Sequence, residues 1–138
     1  MTDEQRPIDI QDAINQRAPS GIAMSPDGSR VVFSLGPIAK KGEYPEADLW
    51  LAETDGSGLR RLTTGESSDG QARWSPDGSL IAFISDREKR GTGALYVISP
   101  DGGEAVRVSQ WDANIASPVW SQIGRDTSEL QSLAYLVC

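Results

Sequence analysis

The side chains available for chemistry in this chain are carboxylates, hydroxyls and one thiol, because the sequence contains no histidine. A serine or cysteine nucleophile working near neutral pH needs an imidazole to take its proton, and none is present. Zinc sites built from cysteine and histidine are excluded on the same ground, the one cysteine being Cys138. The aspartates Asp27, Asp77 and Asp101 recur and could suggest calcium. Each, however, is a single carboxylate in a tight turn, whereas a calcium loop needs several closely spaced oxygen ligands, so turn formation is the expectation. Ser85-Asp86-Arg87 could form an ion-pair site for substrate; the plainer expectation is a strand exit with a local hydrogen bond or a surface salt bridge. The strained turn of a hydrolase serine requires Gly-x-Ser-x-Gly. The nearest string, Gly65-Glu66-Ser67-Ser68-Asp69-Gly70, has the wrong spacing and reads as a polar linker. An enzyme using carboxylates alone, as glycosidases do, would need a distinguished pair, and no pair here has such a context. The expected inventory of catalytic, cofactor-binding and metal-binding residues is therefore none, with no cofactor.

Charge narrows the partners. The chain has 138 residues and a formal net charge of −7, from 13 basic and 20 acidic side chains. A phosphate-binding surface would need a basic stripe, so no nucleic-acid role is expected. The one basic cluster, Arg87 to Arg90, contains Glu88 and reads as a solvated loop. No apolar run approaches the roughly 20 residues needed to span a bilayer, so no membrane role is expected. Met1 to Pro7 lacks the apolar core of a secretory signal. One cysteine gives no intrachain disulfide, which is compatible with a reducing compartment. A cytoplasmic location is the expectation.

The elements that position these residues come from a repeat. Met24-Ser25-Pro26-Asp27-Gly28-Ser29, Trp74-Ser75-Pro76-Asp77-Gly78-Ser79 and Trp120-Ser121 align, with their serines 50 and then 46 residues apart. A second pair obeys the same period: Leu49-Trp50-Leu51-Ala52 before Asp55-Gly56-Ser57, and Leu95-Tyr96-Val97-Ile98 before Asp101-Gly102-Gly103. In Ser-Pro-Asp-Gly, proline presets φ for a type I turn and glycine takes the left-handed position that closes a hairpin. Each period thus predicts four short strands in a meander. In the second repeat these are residues 71–75, 80–85, 94–99 and 105–109. The middle strands are apolar without alternation, which implies burial on both faces. The fourth strands, with Arg60, Arg61 and Arg107, read as an outer edge in water.

Four-stranded units repeated at 40–50 residues are a β-propeller signature; a β-sandwich competes but predicts no repeated motif. The fold class is all-β: a partial β-propeller of about two and a half four-stranded antiparallel blades. A short helical stretch precedes it, with Ile10, Ala13 and Ile14 on one face and Pro19 as its stop. Residues 1–19 form the lead-in and 20–138 the partial propeller, with blades at about 20–63, 71–109 and 116–138, the last incomplete. Tight turns should share one face of the disc. The longer segments 36–47, 64–70, 86–93 and 110–116 should share the other, where binding usually resides. Trp50, Trp74 and Trp120 recur at repeat positions, which favours inter-blade packing over a ligand groove; Trp111, in a linker, is the aromatic to probe for contact. In the third repeat Ser121 and Tyr135 are 14 residues apart, against 8 for Ser75 and Phe83. Either residues 122–132 form a longer polar loop before the strand resumes at Leu133, or the frame is disturbed there.

At these motifs the chain resembles Tol-system-like propellers and the N-terminal propellers of prolyl oligopeptidase-type serine peptidases. It is not similar to WD repeats, whose Gly-His and Trp-Asp signatures are missing. Several strings resemble the branch containing acylaminoacyl and dipeptidyl peptidases. They are Asp48-Leu49-Trp50-Leu51, Arg61-Leu62-Thr63, Ser68-Asp69-Gly70 leading to Arg73-Trp74-Ser75-Pro76-Asp77-Gly78, and Ser85-Asp86-Arg87. The resemblance covers about residues 8 to 121. It implies a non-catalytic propeller segment that caps an α/β-hydrolase domain and restricts peptide access. Its partners would be the parent's remaining blades and hydrolase domain, and peptides through the parent. The alternative is a Tol-system-like protein-binding scaffold. Open blade faces also imply self-association of the chain alone.

Overall fold

Two turns of identical construction organise the structure. In the first, the Gly28 N–H donates to the Ser25 carbonyl at 2.9 Å; in the second, Gly78 donates to Ser75 at the same distance. Both glycines sit at φ +74°, where an L side chain is strained. The computed structural model describes residues 7, 9–39, 43–110, 113–120 and 133–134. Its elements are helix α1 (Ile10–Ile14) and ten strands: β1 (Arg17–Met24), β2 (Arg30–Pro37), β3 (Asp48–Glu53), β4 (Arg60–Arg61), β5 (Asp69–Trp74), β6 (Ile81–Ser85), β7 (Ala94–Ser99), β8 (Gly102–Arg107), β9 (Val119–Trp120) and β10 (Leu133–Ala134).

The strands form antiparallel meanders in the orders β1-β2-β3-β4 and β5-β6-β7-β8, with β9 paired to β10 as the start of a third unit. This is a partial β-propeller. In the third unit Leu133 lies opposite Trp120 and Ala134 opposite Val119, so the strand resumes at Leu133 as the longer-loop reading requires. Residues 122–132, Trp111 and Cys138 lie outside the described residues.

The second sheet is covered on both sides. Its front face carries Ala72, Trp74, Ile81, Phe83, Tyr96 and Ile98, which pack with Val32, Leu49 and Leu51 from the rear of the first sheet. Its rear carries Ala82, Ile84, Leu95 and Val97, packed with Ile115 and Trp120. Every residue of β6 is buried, as expected for a strand without alternation. The indole N–H of Trp74 donates to the Ala23 carbonyl of the first sheet at 3.0 Å, and Trp120 repeats the contact one unit on, to the Arg73 carbonyl at 2.9 Å. These two tryptophans pin adjacent sheets, as the repeat predicted. Trp50 differs: it lies on β3 opposite Phe33 and Arg61, the position that Tyr96 holds in the second sheet.

The inner strands β1 and β5 each carry a bulge. Gly21 and Ile22 face the single residue Phe33, and Gln71 and Ala72 face Phe83. The first bulge residue has φ +58° at Gly21 and +54° at Gln71. An extra residue of this kind bends the strand and increases its twist. The Gln71 side-chain carbonyl accepts the Ser117 N–H, linking the β5 bulge to the segment that leads into β9.

One expectation at the N-terminal end is corrected. Pro19 does not stop the helix; α1 ends at its cap Asn15, and Pro19 lies inside β1 opposite Leu35. An edge strand tolerates a residue without an N–H donor, and β1 is the inner edge of its sheet. The helix begins at a capping box between Asp9 and Asp12. Its predicted apolar face is not buried: Ile10 is 76% exposed, because a five-residue helix offers too little surface to dock.

Candidate functional site

The predicted division of loops holds. On the tight-turn side, Thr54 donates its N–H to the Ser29 carbonyl at 2.9 Å, and Arg60 donates to the Pro100 carbonyl. The long segments gather on the opposite side, where the seam between the two sheets opens into a cleft of about 520 Å³.

The cleft is built around Asp69, which is fully buried. Its backbone N–H donates to the Ala47 carbonyl at 2.8 Å, and Ala47 donates to the Ser67 carbonyl at 3.0 Å, joining the segments 36–47 and 64–70. The Ser34 hydroxyl donates to the Asp69 carbonyl at 2.7 Å. The Asp69 carboxylate accepts from the Ser67 hydroxyl at 3.0 Å and from the Arg87 guanidinium at 3.1 Å. Arg87 lies over the rings of Tyr96 and Phe83, at 4.7 and 5.4 Å, and its Nε–H donates to the Ser85 hydroxyl at 3.0 Å. A guanidinium suits this place because its plane can stack while its edge donates. Burial raises the pKa of the Tyr96 phenol, with Glu88 adding to the shift.

Asp86 organises the next loop. Its carboxylate accepts from the Ser68 N–H at 2.8 Å, the Gly91 N–H at 2.9 Å and Arg90 at 2.6 Å. Arg90 also donates to the carbonyls of Tyr44 and Pro45, both at 3.1 Å, with its guanidinium over the Tyr44 ring at 5.9 Å. Ser85-Asp86-Arg87 is therefore a strand exit, but its two charged residues serve different partners, Arg87 the Asp69 carboxylate and Asp86 the Ser68 and Gly91 N–H groups and Arg90. The two guanidiniums at the cleft are held by buried carboxylates, while Glu43, Glu46 and Glu66 line its mouth, exposed. The arrangement fastens loops and presents an acidic rim.

The other sequence candidates are turn residues. Asp27 accepts from the hydroxyls of Ser25 and Ser29, both at 2.7 Å, and from the Ser29 N–H at 3.0 Å. Asp77 makes the same set with Ser75 and Ser79. The Ser25 hydroxyl, with the Ser29 donors, holds Asp27 down at about 2; the Ser79 N–H and the Ser75 and Ser79 hydroxyls also lower Asp77. Asp101 departs from this pattern: it is exposed, and its carboxylate lies 3.9 Å from Arg30. Gly65 to Ser68 is the inter-sheet linker, anchored by the buried Ser67, and Asp69 and Gly70 open β5. Among the described residues no group of three or more His, Cys, Asp or Glu side chains could hold a metal. Sequence reasoning missed the role of Asp69 and the bulge residues. Gly21 was a visible signal for the bulge; Gln71 was not.

Residues 9–131 match the family described as TolB beta propeller domain. The chain belongs to this family. Among curated relatives, this propeller chain is 37% identical over 101 residues to the peptidase YuxL of Bacillus subtilis, covering 72% of the chain. It is 31% identical over 105 residues to dipeptidyl-peptidase 5 of Porphyromonas endodontalis, covering 76% of the chain. The matched region is 15% of the length of each of these two relatives. A TolB structure from Agrobacterium tumefaciens superposes on the propeller with a TM-score of 0.53 and 26% identity, covering 69% of this chain and 31% of that one.

Proposed function

We propose that this chain is a non-catalytic propeller segment of a larger serine peptidase of the prolyl oligopeptidase type. There it caps the hydrolase domain and restricts which peptides reach it. The observation that carries this reading is the pair of peptidase relatives, which match most of this chain within a small part of their own length. The chemistry agrees: the chain has no imidazole, and Ser67, the buried serine at the cleft, donates to a carboxylate already engaged by Arg87. Its partners are the further blades and the hydrolase domain, with peptides handled by the whole protein. A cytoplasmic setting is consistent with a single cysteine. No helix among the described residues is long and apolar enough to cross a membrane.

The test is to sequence the surrounding reading frame and assay its product. A downstream Gly-x-Ser-x-Gly followed by Asp and His, with peptide cleavage by the long protein and none by this chain, supports the reading. A frame that encodes only blades overturns it. That outcome favours a protein-binding scaffold, the reading to which the TolB likeness lends weight.

A further inference from the structure

Five Asp-Gly pairs occur in the sequence, at Asp27, Asp55, Asp69, Asp77 and Asp101. Aspartate isomerises most readily before glycine, which has no Cβ to hinder attack by its own nitrogen. The structure treats the five carboxylates unequally. Asp27 and Asp77 each accept from two serine hydroxyls and one serine N–H. Asp55 accepts from the Ser57 N–H at 2.9 Å and the Ser57 hydroxyl at 2.6 Å. Asp69 is buried and held by Ser67 and Arg87.

Asp101 has no such clamp. Ser29, Ser57 and Ser79 follow three of the pairs, whereas Gly103 follows Asp101-Gly102. Among the described residues no hydroxyl or N–H donates to the Asp101 carboxylate. Its side chain is 91% exposed, and Arg30 at 3.9 Å lies beyond hydrogen-bond reach. Gly102 and Gly103 stand at φ +106° and +98°, and no heavy atom lies within 4 Å of where a Cβ on Gly103 would be. Attack at Asp101 therefore meets neither a carboxylate hydrogen bond to break nor a following side chain to pass.

From this contrast we infer that Asp101 is the site at which the chain isomerises to isoaspartate. The Gly102 nitrogen attacks the side-chain carboxyl carbon of protonated Asp101. The N–H proton and the carboxyl hydroxyl leave as water, closing a succinimide ring. Water then opens the ring. Cleavage between the nitrogen and the main-chain carbonyl leaves Gly102 joined through the former side chain, with a free α-carboxylate. That carboxylate is the group an isoaspartyl methyltransferase esterifies with S-adenosylmethionine. The product adds one methylene to the main chain of the β7–β8 hairpin, where Ser99 lies opposite Gly102. Pro100 accepts from Arg60 and Asp101 lies beside Arg30, both residues of the first sheet, so the change loosens the seam on its tight-turn side. Asp27, Asp55 and Asp77 are protected twice: ring closure must break their hydrogen bonds, and their serine donors favour the charged, less reactive form. The inference is independent of the peptidase reading.

Ageing the purified chain at mildly acidic pH tests it, with peptide mapping and labelling by a purified isoaspartyl methyltransferase as readouts. Isoaspartate should accumulate at Asp101 about tenfold faster than at Asp27, Asp55 or Asp77, the ratio expected when ring closure costs the others one or two hydrogen bonds. In urea, which removes the turns, the four rates should converge. Ser57→Gly gives Asp55 the same following residues as Asp101 and deletes one exposed hydroxyl. It should speed isomerisation at Asp55 about fivefold, with circular dichroism confirming the fold. Equal rates at the four sites in the folded chain overturn the inference. So does the folded ranking persisting in urea, or a folded Ser57→Gly chain whose Asp55 rate is unchanged.

Discussion

At the scale of single residues, two kinds of aspartate do different work. Asp27 and Asp77 are exposed, and their serine donors favour the charged form. A carboxylate whose folded pKa is depressed adds stability above its unfolded value, and that stability is lost as pH falls through the folded one. For Asp27 this window runs from the ordinary 3.8 down to about 2. Acid titration followed by tryptophan fluorescence should show unfolding resistance dropping across that range, with Asp27→Asn and Asp77→Asn flattening the drop. Asp69 is buried instead, and its charge is matched by Arg87. Replacing Arg87 with alanine leaves that charge uncompensated, which costs about 3 kcal/mol. Urea denaturation should show the loss, and Asp69→Asn in the Arg87→Ala background should recover part of it.

At the scale of elements, the sequence was most legible where local chemistry decides the outcome. Pro26, Asp27 and Gly28 specify a hairpin with no help from elsewhere, and the continuous apolar run from Ile81 to Ile84 specifies a strand buried on both faces. The site was less legible because its decisive contact joins Asp69 to Arg87 across 18 residues, and its walls come from segments that only the seam brings together. The β5 bulge was hidden for a related reason: strand pairing imposes a left-handed backbone on Gln71, whose type does not announce it. Pro19 misled because its usual role as a helix stop carries no information about whether the strand it enters is an edge. Gly21 has open space where a Cβ would be added, its nearest neighbour being the Gln71 nitrogen at 3.9 Å. Gly21→Ala should therefore cost only the backbone strain, about 1 kcal/mol, measurable as a lowered midpoint in thermal unfolding. Trp74→Phe, which keeps the ring and deletes the donor to Ala23, should cost about 1 to 2 kcal/mol in the same assay.

At the scale of the whole molecule, protection is uneven. The second sheet is packed on both faces and the first on one, so local opening should be easiest at the N-terminal side. Hydrogen exchange should find the amides of β6 and β7 slowest and those of β1 much faster. The bulges at Gly21 and Gln71 carry a consequence for how such a chain could be copied. Each places the same bend at the same point of an inner strand, so the angular step from one sheet to the next is written into the repeat itself. A duplication that takes in the whole unit carries its own bend along and continues the curve; one that cuts between the bulge and its Ser-Pro-Asp-Gly turn does not.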